Sequence, residues 1–167
     1  MRLVMAQVNL VVGDIEGNAE RVISAAGEAR QRLAAELVVF PELTLTGYPP
    51  EDLLLRPSLD TRIRTALQRI GAEIPVPALV GYPARDDESR RNTVGLIRPG
   101  AEEPEAEYYK QRLPNYRVFD EKRYFQPGDG ACTVEVGGVT LGLSICEDVW
   151  FPEPMQQARE AGAQIIV

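Results

Sequence analysis

The sequence predicts an α/β protein whose helices cover a mixed sheet. Three observations carry this. β-favouring runs alternate with helical periodicity in the first half of the chain. Several strand-like runs then follow one another between residues 78 and 146. A last helical stretch leads into "QIIV". The chain has 167 residues, 44% hydrophobic and 26% charged, which suits one domain with a core of ordinary size.

The elements follow in order. "RLVMAQVNL" reads as a first buried strand. "NAERVISAAGEARQRLA" reads as a helix with Asn18 as N-cap and Ala19, Val22, Ala26, Ala29 and Leu33 on one face. "ELVVFPEL" is a short buried strand bounded by Pro41 and Glu42. "GYPPEDLLLRPSL" turns into helical sequence that runs to about Gly71. "PALVGYPA" and "NTVGLIRPG" are two strands joined by a polar loop, Arg85 to Arg91, and "AEYYKQRL" is another strand. "ACTVEVGGVTLGLSIC" is a hairpin turning at Gly137-Gly138, with Val136 opposite Val139 and Cys132 opposite Leu143. "EPMQQAREAGA" is a helix.

The composition excludes several classes. A net charge of -7 without a basic block argues against nucleic acid and against a polybasic membrane contact. The apolar N-terminus is broken by Gln7 and Asn9 and lacks a signal-peptide pattern, and two cysteines do not make a disulfide framework, so the expected compartment is a reducing cytoplasm. In the expected hairpin Cys146 lies roughly 10 Å beyond the partner of Cys132, at ~3.3 Å per residue, too far for a disulfide. Cys132 reads as a buried core thiol. The chain ends inside an apolar run, which predicts the front part of a larger domain.

"LGLSICEDVW" places Cys146 at the end of an apolar run. A cysteine attacks as thiolate and needs a base or a positive neighbour, yet the chain has no histidine. Carboxylates and lysines remain. There are two lysines, Lys110 in "EYYKQRLP" and Lys122 in "FDEKRYF"; Lys122, among charges, reads as a surface residue. Glu42 follows "LVVFP", at the end of a strand, where open α/β sheets gather their chemistry. Each residue alone fits a bland role: a buried thiol for Cys146, a turn carboxylate for Glu42, a surface amine for Lys110. As polar residues at the ends of three strand-like runs, the three could converge in one pocket.

"VVFPELTLTGY", "EYYKQRLPNY" and "LGLSICEDVW" resemble the glutamate, lysine and cysteine motifs of the nitrilase, or carbon–nitrogen hydrolase, superfamily. "GYPPEDLLLR" and "LPNYRVFDEKRYF" narrow the resemblance to the amino-terminal glutaminase domains of glutamine-dependent NAD+ synthetases. Relatives often carry Gly where this chain has Arg117, which reads as a loop substitution. The resemblance implies a nitrilase-type α-β-β-α sandwich over residues 1-167, incomplete at its carboxyl side, without the synthetase domain. It implies Cys146 as nucleophile, Glu42 as general base, and Lys110 with the Glu147 N–H at the oxyanion. Tyr116, Glu121, Tyr48 and Glu147 would bind L-glutamine, Glu121 also orienting the lysine. Asp148 and Trp150 would order the loop after the nucleophile. No cofactor is expected here; ATP, Mg2+ and deamido-NAD+ would belong to the synthetase domain, and relatives are homo-oligomers. A stand-alone amidase and an idle scaffold are the alternatives.

Overall fold

The computed structural model describes residues 1–86 and 89–167. Two sheets face each other. The first has the order β1 (Leu3–Met5), β2 (Leu37–Val39), β3 (Ala78–Asp86), β4 (Ser89–Ile97), β5 (Ala106–Tyr109). β1, β2 and β3 run parallel, and β3, β4 and β5 antiparallel. The second sheet holds β6 (Thr133–Val136), β7 (Val139–Gly142) and β8 (Ile165–Ile166). α1 (Ile15–Leu33) and α2 (Leu59–Glu73) lie against the first sheet, and α3 (Pro152–Glu160) against the second.

Strands buried on both faces show why the layers stack as α, β, β, α. Along β2 and β3, Val38, Ala78 and Val80 join the helix-side core with Val22, Ala26, Ile63 and Ile70. Their neighbours Leu37 and Leu79 join the inter-sheet core with Leu96, Tyr108, Val134, Val136 and Leu141. The period-two alternation of a strand therefore feeds two cores at once. On the outer face of the second sheet, a Cβ at Gly142 would sit 2.9 Å from the Cβ atoms of Ala158 and Ala163, so α3 packs directly on that backbone.

Several expectations change in detail. α1 is capped by Asp14, whose Oδ1 accepts from Gly17 N at 3.1 Å. Asn18 is buried inside the helix and braces two loops: its Oδ1 accepts from Val11 N, and its Nδ2 donates to Val11 O and Leu45 O. Leu33 is exposed, because the apolar stripe ends at Ala29 and the last turn lies in solvent. The first strand stops at Met5 because its partner β2 ends at Val39; Ala6 N makes one further bond, to Val39 O. Of the expected loop Arg85–Arg91, residues 87 and 88 lie outside the described residues. Its flanks are strand, paired Arg85 to Arg90 and Asp86 to Ser89, and Asp60 anchors Arg90 at 2.6 Å. The glycine hairpin keeps its expected register, with both turn glycines at positive φ. Both cysteines are free, and Cys132 is half-buried rather than fully buried, at the edge of the inter-sheet core. Among the described residues no helix is long and apolar enough to cross a membrane.

Gly71 lies inside α2, where alanine ordinarily gains about 1 kcal/mol. Here a Cβ would stand 1.9 Å from Ala101 O. Gly71→Ala is therefore expected to lower stability by about 1–3 kcal/mol in urea unfolding. A gain would mean that the Ala101 turn yields.

Candidate active site

Three chain segments meet at one end of the sheets. After β2 the chain turns through Pro41-Glu42-Leu43, with Leu43 at a φ of 50°. The turn crosses β3 at Gly81, where a Cβ would lie 2.5 Å from Leu43 N and 2.7 Å from Pro41 O. Glycine is required there because backbone passes over backbone. Lys110 follows β5 directly, and its N–H donates to Asn92 O at 2.9 Å. Glu121 opens a 3-10 turn, Glu121–Arg123.

Lys110 is 1% exposed. Its Nζ donates to Glu42 Oε1 at 2.6 Å and to both Glu121 oxygens at 3.0 Å. Burial opposes its charge, but the carboxylates of Glu42 and Glu121 outweigh burial and hold its pKa above the ordinary lysine value. Burial, reinforced by the Glu42 charge, raises that of Glu121, with Lys110 opposing. Tyr48 donates to Glu121 Oε1 at 3.3 Å, and burial raises its phenol well above the usual range. Asn92 on β4 donates from Nδ2 to Glu42 Oε1 at 2.7 Å. Sequence reasoning missed Asn92. In the sequence it stands at the head of "NTVGLIRPG", directly after a polar stretch, where an asparagine gives no signal of its own.

Cys146 opens a 3-10 turn, Cys146–Trp150, instead of ending a strand; β7 stops at Gly142. It is exposed and held at a φ of 47°, a strained conformation that costs about 1–3 kcal/mol. Asp148 holds that turn. Fully buried, its Oδ2 accepts from Ile145 N and the Tyr108 hydroxyl, and its Oδ1 from Gln111 N and Arg112 N. The cysteine turn and the segment after Lys110 are thus tied to one carboxyl group. Trp150 is 71% exposed and does not share this task, because its side chain points out of the turn that Asp148 closes. Burial, then the Glu42 charge, push the Cys146 thiol up to about 11, against the pull of Lys110.

A cavity of about 180 Å³ is lined by Glu42, Cys146, Thr93, Val94 and Leu143. Tyr48 and Glu121 line a second, of about 320 Å³. Tyr116 and Glu147 line a third, where the Tyr116 hydroxyl donates to Glu147 Oε2 at 3.1 Å. The structure therefore gathers Glu42, Lys110, Glu121, Tyr48 and Cys146 around one charge cluster, with Tyr116 and Glu147 as a separate exposed pair. Arg117 has a φ of 55°, where glycine would sit without strain. Lys122 is exposed, as expected.

Lys110→Met would leave Glu42 and Glu121 facing each other without a cation. A loss of about 3–5 kcal/mol is expected in denaturant unfolding. A loss under about 1 kcal/mol, the worth of a surface pair, would contradict the buried cluster.

Proteins of known sequence and structure carry the same framework. The chain is 43% identical, over its whole length, to the glutamine-dependent NAD(+) synthetase of Xanthomonas campestris pv. campestris (strain 8004), and covers 30% of that protein. It is 42% identical to that of Thermotoga maritima over 91% of this chain and 26% of the relative. The chain thus spans about 30% of the length of these relatives. The structure of glutamine-dependent NAD+ synthetase from Acinetobacter baumannii superposes with a TM-score of 0.91 at 33% identity, over 98% of this chain and 31% of that one. An amidase of the nitrilase superfamily from Nesterenkonia AN1 superposes at 0.86 with 28% identity, over 99% of this chain and 63% of that one. The carbon–nitrogen hydrolase family model matches residues 2–167, and with the two-sheet fold and the Glu42, Lys110 and Cys146 cluster already described, the chain belongs to the carbon–nitrogen hydrolase family.

Proposed function

We propose that this chain is the glutaminase part of a glutamine-dependent NAD+ synthetase. It hydrolyses the side-chain amide of L-glutamine and supplies ammonia for ATP-dependent amidation of deamido-NAD+ elsewhere in a longer polypeptide. One observation carries the chemistry: a buried lysine joins Glu42 beside an exposed cysteine in a chain without histidine. The sequence relatives support the choice of substrate.

The thiol holds its proton at neutral pH, so attack requires a base. Glu42 takes the proton as Cys146 Sγ attacks the amide carbon. Negative charge develops on the amide oxygen, where the Lys110 ammonium and the Glu147 N–H stabilise it. Glu42 returns the proton to the leaving nitrogen, and ammonia departs from a γ-glutamyl thioester. Glu42 then takes a proton from water, which attacks the thioester. Collapse releases glutamate and restores the thiol. Glu121 keeps the ammonium in place throughout, and Tyr116, Glu147 and Tyr48 would meet the amino-acid end of glutamine. ATP and Mg2+ serve the synthetase step, beyond this domain, and the whole protein assembles as a homo-oligomer in the cytoplasm.

The likeness to the Nesterenkonia amidase favours a second reading, a stand-alone amidase for another small amide. In variants of that enzyme the active-site cysteine carries a Michael adduct of acrylamide or the acetamide moiety of fluoroacetamide, adducts that a nucleophilic cysteine forms.

In the full-length gene product, Cys146→Ala is expected to abolish NAD+ formation from glutamine and leave formation from ammonium salts intact. Hydrolysis of acetamide in place of glutamine would favour the amidase reading. A second check follows from the thiol. Its alkylation by iodoacetamide is expected to keep accelerating above the ordinary cysteine value of 9.0, toward about 11. A plateau below 9.0 would mean that Lys110 outweighs burial and Glu42.

A further inference from the structure

Asn92 sits where the triad is joined. It is 1% exposed on β4, a central strand of the first sheet. Its backbone carbonyl accepts from Lys110 N at 2.9 Å, and its side chain donates to Glu42 Oε1 at 2.7 Å. One residue thus fixes the backbone of the lysine and the carboxylate of the glutamate. The amide is oriented by chemistry, since its flipped form would set an amide oxygen against a carboxylate oxygen.

Two details give this contact a direction. Lys110 Nζ donates to the same oxygen, Oε1, at 2.6 Å. Among the described residues both nitrogen donors to Glu42 therefore converge on Oε1, while the Cys146 thiol hydrogen-bonds the same carboxyl group. The second detail is the other end of the amide. Asn92 Oδ1 is buried and has no hydrogen-bond partner. A buried amide oxygen is rarely left unpaired, and each exception calls for a reason. The reason here is that the side chain is held by its bond to Glu42.

We propose that Asn92 is the positioning residue of the general base: with Lys110 it occupies Glu42 Oε1, so that Oε2 is the atom that takes the proton from Cys146 Sγ and returns it to the leaving group. Without Asn92 the carboxylate keeps one nitrogen donor, Lys110 Nζ, and rotates about that contact, so that its oxygens exchange places. The proton balance of the reaction is unchanged; what Asn92 supplies is a single defined acceptor. The glutaminase part of this assignment rests on the function proposed above, while the Asn92–Glu42–Cys146 coupling does not need glutamine.

The test is a double-mutant cycle in the full-length gene product, read by iodoacetamide alkylation of Cys146, which needs no substrate. Asn92→Ala is expected to slow alkylation about 10-fold when Glu42 is present, through loss of aligned proton transfer. In the Glu42→Gln background the same change is expected to alter the rate less than about 2-fold, because the residue Asn92 acts through is already disabled. Equal slowing in both backgrounds would overturn the proposal and leave Asn92 a structural residue. If Asn92→Ala does not fold, Asn92→Leu, which keeps nearly the volume and removes the donor without adding a charge, is read in the same way. Glutamine turnover is measured alongside, with an expected fall in kcat of about 10-fold and KM within about 2-fold. Coupling without glutamine turnover in the unmodified protein would refute the proposed substrate and keep the role of Asn92. Turnover without coupling would do the reverse.

Discussion

The buried ammonium of Lys110 is the constraint on which the site depends. Taking a lysine out of water costs several kcal/mol, recovered only where the geometry is good and every proton has an acceptor. An ammonium has three donors, and here three carboxylate oxygens receive them, one from Glu42 and two from Glu121. The turn after β2, the end of β5 and the turn at residue 121 must therefore arrive together. The cation that would stabilise an oxyanion is the same cation that holds these segments in register.

The backbone makes room for this convergence at defined positions. Gly81 lets the Glu42 turn lie on β3, and Leu43 accepts a left-handed conformation at its far side. Cys146 takes the same kind of conformation, and Asp148 offsets it by accepting four hydrogen bonds from two segments. Strain at Cys146 and the fully buried Asp148 carboxyl group form one device. The strained turn exposes the thiol, and the carboxyl group keeps the turn from relaxing.

The electrostatics set the terms on which the proposed cysteine chemistry would run without histidine. Two carboxylates outnumber the one lysine, so the cluster does not favour a thiolate by charge alone. In the proposed mechanism the thiol stays protonated until Glu42 accepts its proton with substrate present. A resting thiol is less open to adventitious oxidation than a resting thiolate, which suits an exposed cysteine.

Much of this was legible in the sequence, for a physical reason. Strand alternation, helical periodicity and the Gly137-Gly138 turn are local patterns, and local patterns determined the element order and the hairpin register. The motifs around Glu42, Lys110 and Cys146 identified the family through their resemblance, whereas each residue by itself fitted a bland role. Element ends were less legible: Asn18 served as a loop brace while Asp14 capped the helix, and Cys146 began a turn where a strand was expected. Those outcomes depend on partners distant in the chain, such as Leu45 for Asn18 and Tyr108 for Asp148. Asn92 shows the limit best. Nothing beside it in sequence refers to Glu42, fifty residues earlier. Only the pairing of β4 with its neighbours brings that amide to the carboxylate, because a hydrogen bond is decided by distance in space and not by separation along the chain.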